Sequence, residues 1–261
     1  MYQPFDLSGK VSLITGGNGG IGLGFAKGLA AAGASVAIWG TNAKKNEAAI
    51  AELKKITRAK VESFIVNVAD EKAVDEGFAD TLKSFGRVDS VFANAGIGRA
   101  SKSFAEMETK DYREVLAVNL DGVFFTLRAA ARHIMERTKN GDEGGSLVAV
   151  ASLAAIEGAA RNQHYAATKG AVASMMRGIA VEYGRYGVRA NSVLPGWIET
   201  DMTAGMQAND AFTKHVIPRI PIKRRWGVAE DFSGVAVYLA SDASAYHTGD
   251  AFVIDGGYSI Y

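Results

Sequence analysis

Short apolar runs alternate along the chain with longer amphipathic segments, and this alternation predicts a repeated β-α unit. The runs at residues 11–15, 35–39, 61–67, 88–93, 146–151, 188–193 and 251–254 are rich in Val, Ile, Ala and Leu, with no in-out alternation. Such runs suit the strands of a parallel sheet covered by helices on both faces. Helices are expected between them, over 21–32, 44–57, 71–85, 109–139, 165–186 and 229–241. The rhythm breaks over 197–226, which holds Pro218 and Pro221 in a mixed polar composition. That segment reads as a small substrate-lid insertion near the carboxyl ends of the strands, where ligands of open α/β sheets bind. The expected fold class is α/β, a doubly wound (Rossmann) parallel sheet of about seven strands, in a single domain over residues 1–261.

Composition narrows the function classes. A chain of 261 residues, 48% hydrophobic and 22% charged, can bury a large core without disulfides or metals. The formal net charge is +1 and the charges are dispersed, so no nucleic-acid partner is expected. There are no cysteines, which excludes a disulfide framework, a thiolate nucleophile and a thiolate zinc site, and fits a cytoplasmic location. Residues 1–6 lack a basic region followed by an apolar one, so no signal peptide is expected. No uncharged run reaches the length of a membrane span, and no membrane partner is expected. The four histidines, His133, His164, His215 and His247, show no metal-ligand spacing, and no metal site is expected.

Candidate chemistry enters at two places. The first strand runs into Thr15-Gly-Gly-Asn-Gly-Gly-Ile-Gly22, a phosphate cradle by position and composition. Gly17, Gly19 and Gly22 fit G-x-G-x-x-G, and Gly16, Gly20 and Gly22 fit G-x-x-x-G-x-G. The cradle residues are taken as Gly16, Gly17, Asn18, Gly20, Ile21 and Gly22. Nucleotide enzymes that use NAD place a carboxylate at the end of the second strand, on the ribose 2′-hydroxyl. Between Asp6 and Glu47 this chain has none; the strand ends in Ile38-Trp-Gly-Thr-Asn42, followed by Lys44 and Lys45. Without that carboxylate a 2′-phosphate is not repelled, and Thr41, Asn42 and a lysine can bind it, so NADP is favoured and NAD remains possible.

The second place is Tyr165 and Lys169, which share a helix face at i and i+4. A phenol with an ordinary pKa near 10 is a poor base, and an adjacent ammonium lowers it. Ser152, thirteen residues earlier, adds a hydroxyl that can hold a carbonyl or alcohol oxygen beside the phenol.

With Asn94-Ala95-Gly96 after the fourth strand, Asn119 in Val-Asn-Leu, Pro195-Gly196 after the sixth, Thr200 beyond it, and Asp255-Gly-Gly257, the chain resembles the short-chain dehydrogenase/reductase family over essentially its whole length. The resemblance implies a nicotinamide cofactor and hydride transfer at the carbon of a secondary alcohol or ketone. It implies that Tyr165 is the general acid/base, that Ser152 orients the oxygen, and that Lys169 binds the nicotinamide ribose and lowers the tyrosine pKa. It further implies that Asn119 holds a water linking Lys169 to solvent. Asn94, Ala95 and Gly96 would line the adenine ribose, and Pro195, Gly196, Ile198 and Thr200 would flank the nicotinamide. Asn67-Val68 stands where the family usually has Asp against the adenine amine; the Asn carbonyl can accept the same bond.

Similar proteins use the helices over 109–139 and 165–186 to assemble, so a homotetramer is expected. Reduction of a 3-oxoacyl group on a carrier protein is an alternative, although Arg137 and Arg185 each stand one position from where its paired basic residues belong. A non-catalytic nucleotide-binding relative is a second alternative, in which one of the four proton-handling residues would be missing; all four are present. Trp197, Met202, Met206, Phe212, Ile217 and Trp226 give the insertion an apolar character, suited to a substrate pocket or to ordinary core.

Overall fold

The computed structural model describes residues 3–261. Seven parallel strands form one sheet in the order β3-β2-β1-β4-β5-β6-β7. They are β1 (Val11–Thr15), β2 (Ser35–Gly40), β3 (Val61–Ile65), β4 (Ser90–Ala93), β5 (Gly145–Val150), β6 (Val188–Pro195) and β7 (Ala251–Ile254). Successive residues of the central strands face opposite layers: Leu13, Val91 and Leu147 enter one core and Ile14, Phe92 and Val148 the other. Both layers are apolar, which is why the strands show no alternation in sequence.

One layer is built on α3 (Glu71–Phe85), α5 (Gly122–Lys139) and α6 (Gln163–Tyr183), and the other on α1 (Gly20–Ala31), α2 (Ala43–Ile56) and α9 (Ser233–Ala240). Strand order reverses at β1, whose neighbours β2 and β4 lead away in opposite directions. That switch point opens a crevice at the carboxyl ends of β1 and β4.

The helix expected over 109–139 is interrupted. It comprises α4 (Thr109–Leu116), a wide π turn at Ala117–Asp121, and α5. Asn119 lies inside that turn, and Gly122 follows it where a Cβ would come within 2.8 Å of Val68. Single π turns of this kind recur at functional sites because they shift a side chain off the helical repeat. The third strand ends at Ile65 rather than Asn67, because Asn67 Oδ1 accepts the Ala69 N–H and turns the chain.

The insertion over 197–226 contains α7 (Ala204–Gln207) and α8 (Asp210–Val216) and has a core of its own. Trp197 sits 5.0 Å from Phe212, 6.2 Å from Trp226 and 6.1 Å from Tyr258 between ring centroids. Leu153, Val216 and Ile220 complete the cluster, with Ile217 against it. Of the two roles open to its apolar residues, packing therefore accounts for Trp197, Phe212, Ile217 and Trp226. Among the described residues, no helix is long and apolar enough to cross a membrane.

Candidate active site

The glycine loop shows which of its two spacings the backbone requires. Gly16 and Gly20 have φ of +62° and +49°, in the left-handed region that favours glycine. A Cβ on Gly22 would lie 2.3 Å from the Gly16 carbonyl oxygen, whereas one on Gly19 would meet nothing within 4 Å. Gly16, Gly20 and Gly22 are thus the demanded set. Gly17 is constrained from behind by Ile38, 2.7 Å from its hypothetical Cβ. Helix α1 starts at Gly20, so the free N–H groups of its first turn and its positive dipole end face the crevice.

Strands β1 and β4 are tied together across the crevice floor. Thr15 Oγ1 accepts from the backbone N–H of Asn94 and of Ala95, each at 3.0 Å, while Asn94 Nδ2 donates to the carbonyls of Thr15 and Gly16 at 3.0 and 3.2 Å. The Asn94 side chain is therefore a strut for the glycine loop. Thr15 was not singled out in the sequence; a hydroxyl residue directly before the first glycine is the signal for it.

Asn119 is fully buried, and its amide clamps Ile97: Oδ1 accepts the Ile97 N–H at 2.8 Å and Nδ2 donates to the Ile97 carbonyl at 2.9 Å. Its side chain is thus engaged in fixing the loop after β4. Lys169 is buried, donates from Nζ to the Val150 carbonyl at 2.7 Å, and lies 5.4 Å from the Tyr165 ring centroid. Both residues border Gly96, where a Cβ would sit 3.3 Å from Asn119 Oδ1 and 3.6 Å from Lys169 Nζ.

Burial governs the protonation of the pair. Loss of water pushes the Tyr165 phenol up from its ordinary value, and interaction with the Ser152 hydroxyl offsets part of that rise. The same loss of water pushes Lys169 down to about 8. Burial is the largest influence on the phenol and acts against the lowering expected from Lys169, so Tyr165 is protonated at neutral pH. Ser152 Oγ also accepts the Ala154 N–H at 3.2 Å, which fixes the hydroxyl at the end of β5.

A cavity of about 280 Å³ joins these groups. Gly16, Asn18, Gly20, Ile21, Asn94, Ala95, Gly96, Ser152, Tyr165, Lys169, Pro195, Gly196, Ile198 and Thr200 line it. Gly17, Gly22 and Asn119 shape it from behind without lining it. Thr41, Asn42, Asn67 and Val68 also lie outside the lining. Asn42 Oδ1 caps α2 by accepting the Lys45 N–H at 3.1 Å, and Val68 is buried against Gly122. Sequence reasoning did not single out Val150, Ala151, Asp201 or Thr203 as site residues, and of the apolar residues it left between pocket and core, Met202 lines the cavity. It foresaw a lysine at the rim, and that lysine is Lys45, whose Nζ meets Asp201 Oδ2 at 2.5 Å.

His164 adjoins Tyr165 but is buried and does not line the cavity. Arg137 is held at the opposite, amino end of the sheet by the Val88 carbonyl and Asp142. Arg185 stacks on Tyr186 just before β6.

The donor set suits a dinucleotide with a 2′-phosphate. Bare glycines leave room at the α1 N-terminus, the β2 end carries no carboxylate, and Lys45 stands at the rim.

A family model described as enoyl-(acyl carrier protein) reductase matches residues 16–259. The chain is 35% identical over 256 residues to gluconate 5-dehydrogenase of Gluconobacter oxydans, covering 98% of this chain and 97% of that protein. A crystal structure of a short-chain type dehydrogenase/reductase from Mycobacterium marinum superposes with a TM-score of 0.92 at 31% identity, covering 99% of both chains. One of a gluconate 5-dehydrogenase from Burkholderia cenocepacia, in complex with NADP and tartrate, gives 0.91 at 32% identity, covering 99% of this chain and 98% of that one. Motifs, sheet order and these likenesses agree: the chain belongs to the short-chain dehydrogenase/reductase family.

Proposed function

We propose that the chain is one NADP(H)-binding domain that interconverts a secondary alcohol and a ketone on a small polyhydroxylated substrate of the sugar-acid class. The observation that carries this reading is the convergence of Ser152, Tyr165 and buried Lys169 on one cavity beside the glycine cradle. The nicotinamide, when bound, supplies or accepts the hydride. The residues manage one oxygen and one proton. Ser152 and Tyr165 hold the substrate oxygen between two hydroxyls, and the protonated phenol donates to it in the reductive direction. Lys169, fixed by the Val150 carbonyl, presents its ammonium to the ribose and to the phenolate left behind. Asn119 holds the Ile97 loop in place beside Lys169, and the remaining acceptor site and N–H of its amide would hold a water linking Lys169 to solvent. Thr200, Ile198, Gly196 and Pro195 close the nicotinamide end. The outer rim at Thr41, Asn42, Asn67 and Val68 meets the adenosine half.

The sugar-acid class rests on the gluconate dehydrogenases among the relatives. Arg137 and Arg185 are engaged at the far end of the sheet, which argues against reduction on a carrier protein. We further propose a homotetramer, supported by the exposed apolar residues of α5 and α6, Phe124 and Val181 among them, and a cytoplasmic location, supported by the absence of cysteine. The test is a panel of sugar acids, polyols and simple ketones assayed at the nicotinamide absorbance with both cofactors. Turnover of a 5-keto sugar acid with NADPH is expected; inactivity on every ketone and alcohol would overturn the assignment.

A further inference from the structure

Lys45 and Asp201 are 156 residues apart in sequence and meet across the rim of the cleft, one from the first turn of α2 and the other from the start of the insertion. Behind them lies a second opening of about 490 Å³ between α2 and the insertion, which shares Asn18, Gly20, Lys45 and Asp201 with the cleft. Among the described residues, and apart from Lys169 on the floor, Lys45 is the one cation lining either opening, and Asp201 is the one carboxylate lining the cleft. Both side chains are exposed, at 53% and 85%, so little free energy holds the pair together.

We propose that Asp201 is a cofactor-specificity residue that competes with the nucleotide 2′-phosphate for Lys45. The inference rests on the NADP reading given above. A 2′-phosphate carries up to two negative charges into a rim whose one cation is already paired, so it must displace Asp201 from Lys45. A ribose 2′-hydroxyl has no such demand and leaves the pair intact. Asp201 therefore weakens binding of the phosphorylated cofactor selectively, and discrimination is set by two residues rather than by the β2 end alone. Because the pair is solvent-exposed, its effect is bounded by a single screened charge contact.

The experiment is calorimetric titration of the full chain with NADP⁺ and with NAD⁺, for wild type, Asp201→Asn, Lys45→Gln and the double variant. Asp201→Asn is expected to tighten NADP⁺ by about three- to tenfold and to change NAD⁺ by less than about twofold. Lys45→Gln is expected to weaken NADP⁺ and to reduce the gain from Asp201→Asn to less than about twofold. The NADP⁺ gain should also shrink at high salt. An Asp201→Asn variant that leaves NADP⁺ affinity unchanged, or shifts both cofactors equally, overturns the proposal. So does a gain that persists in full without Lys45. Wild-type protein that binds NAD⁺ more tightly than NADP⁺ would instead overturn the cofactor preference. The role of Asp201 would still be read from whether its substitution moves the ratio.

Discussion

At the amino ends of β1, β4 and β5, Asp89 accepts the Val11 N–H at 2.8 Å and faces Arg87 at 2.5 Å and Arg137 at 3.6 Å. At the carboxyl ends, Lys169 is as deeply buried, yet its ammonium has a single neutral partner, the Val150 carbonyl. The first arrangement compensates a buried charge with opposite charges and main-chain dipoles. The second leaves it uncompensated, and its pKa falls to about 8. The contrast teaches that the lower end of this sheet is organised for cohesion, while the upper end keeps a charge that its surroundings do not stabilise, as the proposed proton transfer requires.

The largest expected effect is at the upper end. Tyr165→Phe removes the proton donor and leaves the cleft intact, so kcat should fall by about 10²- to 10⁴-fold while the cofactor Kd stays within about threefold. Single-turnover kinetics and calorimetry measure the two separately, and a loss under about tenfold would reject Tyr165 as the acid.

At the lower end, Asp89→Ala should cost about 3 kcal/mol of stability, because Val11 loses its acceptor and two guanidinium groups lose their shared partner. Denaturant unfolding with an unchanged slope reads this directly. A loss below about 1 kcal/mol would mean that Asp142 alone neutralises the cluster.

Lys169→Met tests the contrast by predicting the opposite sign. A displacement from the ordinary lysine value near 10.4 to about 8 opposes the charged form by about 3 kcal/mol. The Val150 carbonyl loses its donor in the variant, so the net gain in stability at pH 7 should be about 1 kcal/mol, with activity lost. In the wild type the unfolded chain binds more protons between pH 8 and about 10.4, so wild-type stability rises with pH and the advantage of the variant fades there. A variant less stable than wild type at pH 7 would show that the ammonium is compensated after all.

The smallest effect concerns His133, whose Nε2 accepts the Val88 N–H at 3.2 Å beside the Asp89 cluster. Burial, and then Arg137, push its pKa down. The neutral ring therefore contributes stability that is lost as pH falls below about 6.5 and through the folded value. His133→Gln should flatten the stability profile between about pH 7 and 5 by no more than about 1 kcal/mol. An unaltered slope would assign that acid sensitivity to other groups.

Much of the catalytic end was legible because its signals are local. Tyr165 and Lys169 share a face by helical repeat, and the glycine-rich turn before α1 marks a phosphate cradle, although only the backbone shows that Gly16, Gly20 and Gly22 are the set it requires. The outer rim was less so. Thr41, Asn42, Asn67 and Val68 were inferred from strand ends, and the folded chain leaves all four outside the cavity lining, with Asn42 capping α2 and Asn67 closing a turn. Short polar side chains at strand ends satisfy local N–H groups as readily as a ligand, so their sequence position does not separate the two uses.

By itself, the sequence determined the parallel α/β architecture, through unalternating apolar strands and amphipathic helices, and pointed to the residues proposed to handle the proton. It also determined the absence of a carboxylate at the β2 end. Only the tertiary structure decided that Thr15 and Asn94 bind β1 to β4, that a π turn sets Asn119 against Ile97, and that Lys45 faces Asp201. It alone decided the direction in which Tyr165 and Lys169 shift. Periodicity and steric limits act over a few neighbouring residues and are written in the chain. Desolvation and charge pairing depend on which distant segments exclude water from one another, and that is fixed only when the sheet and its helices close around the site.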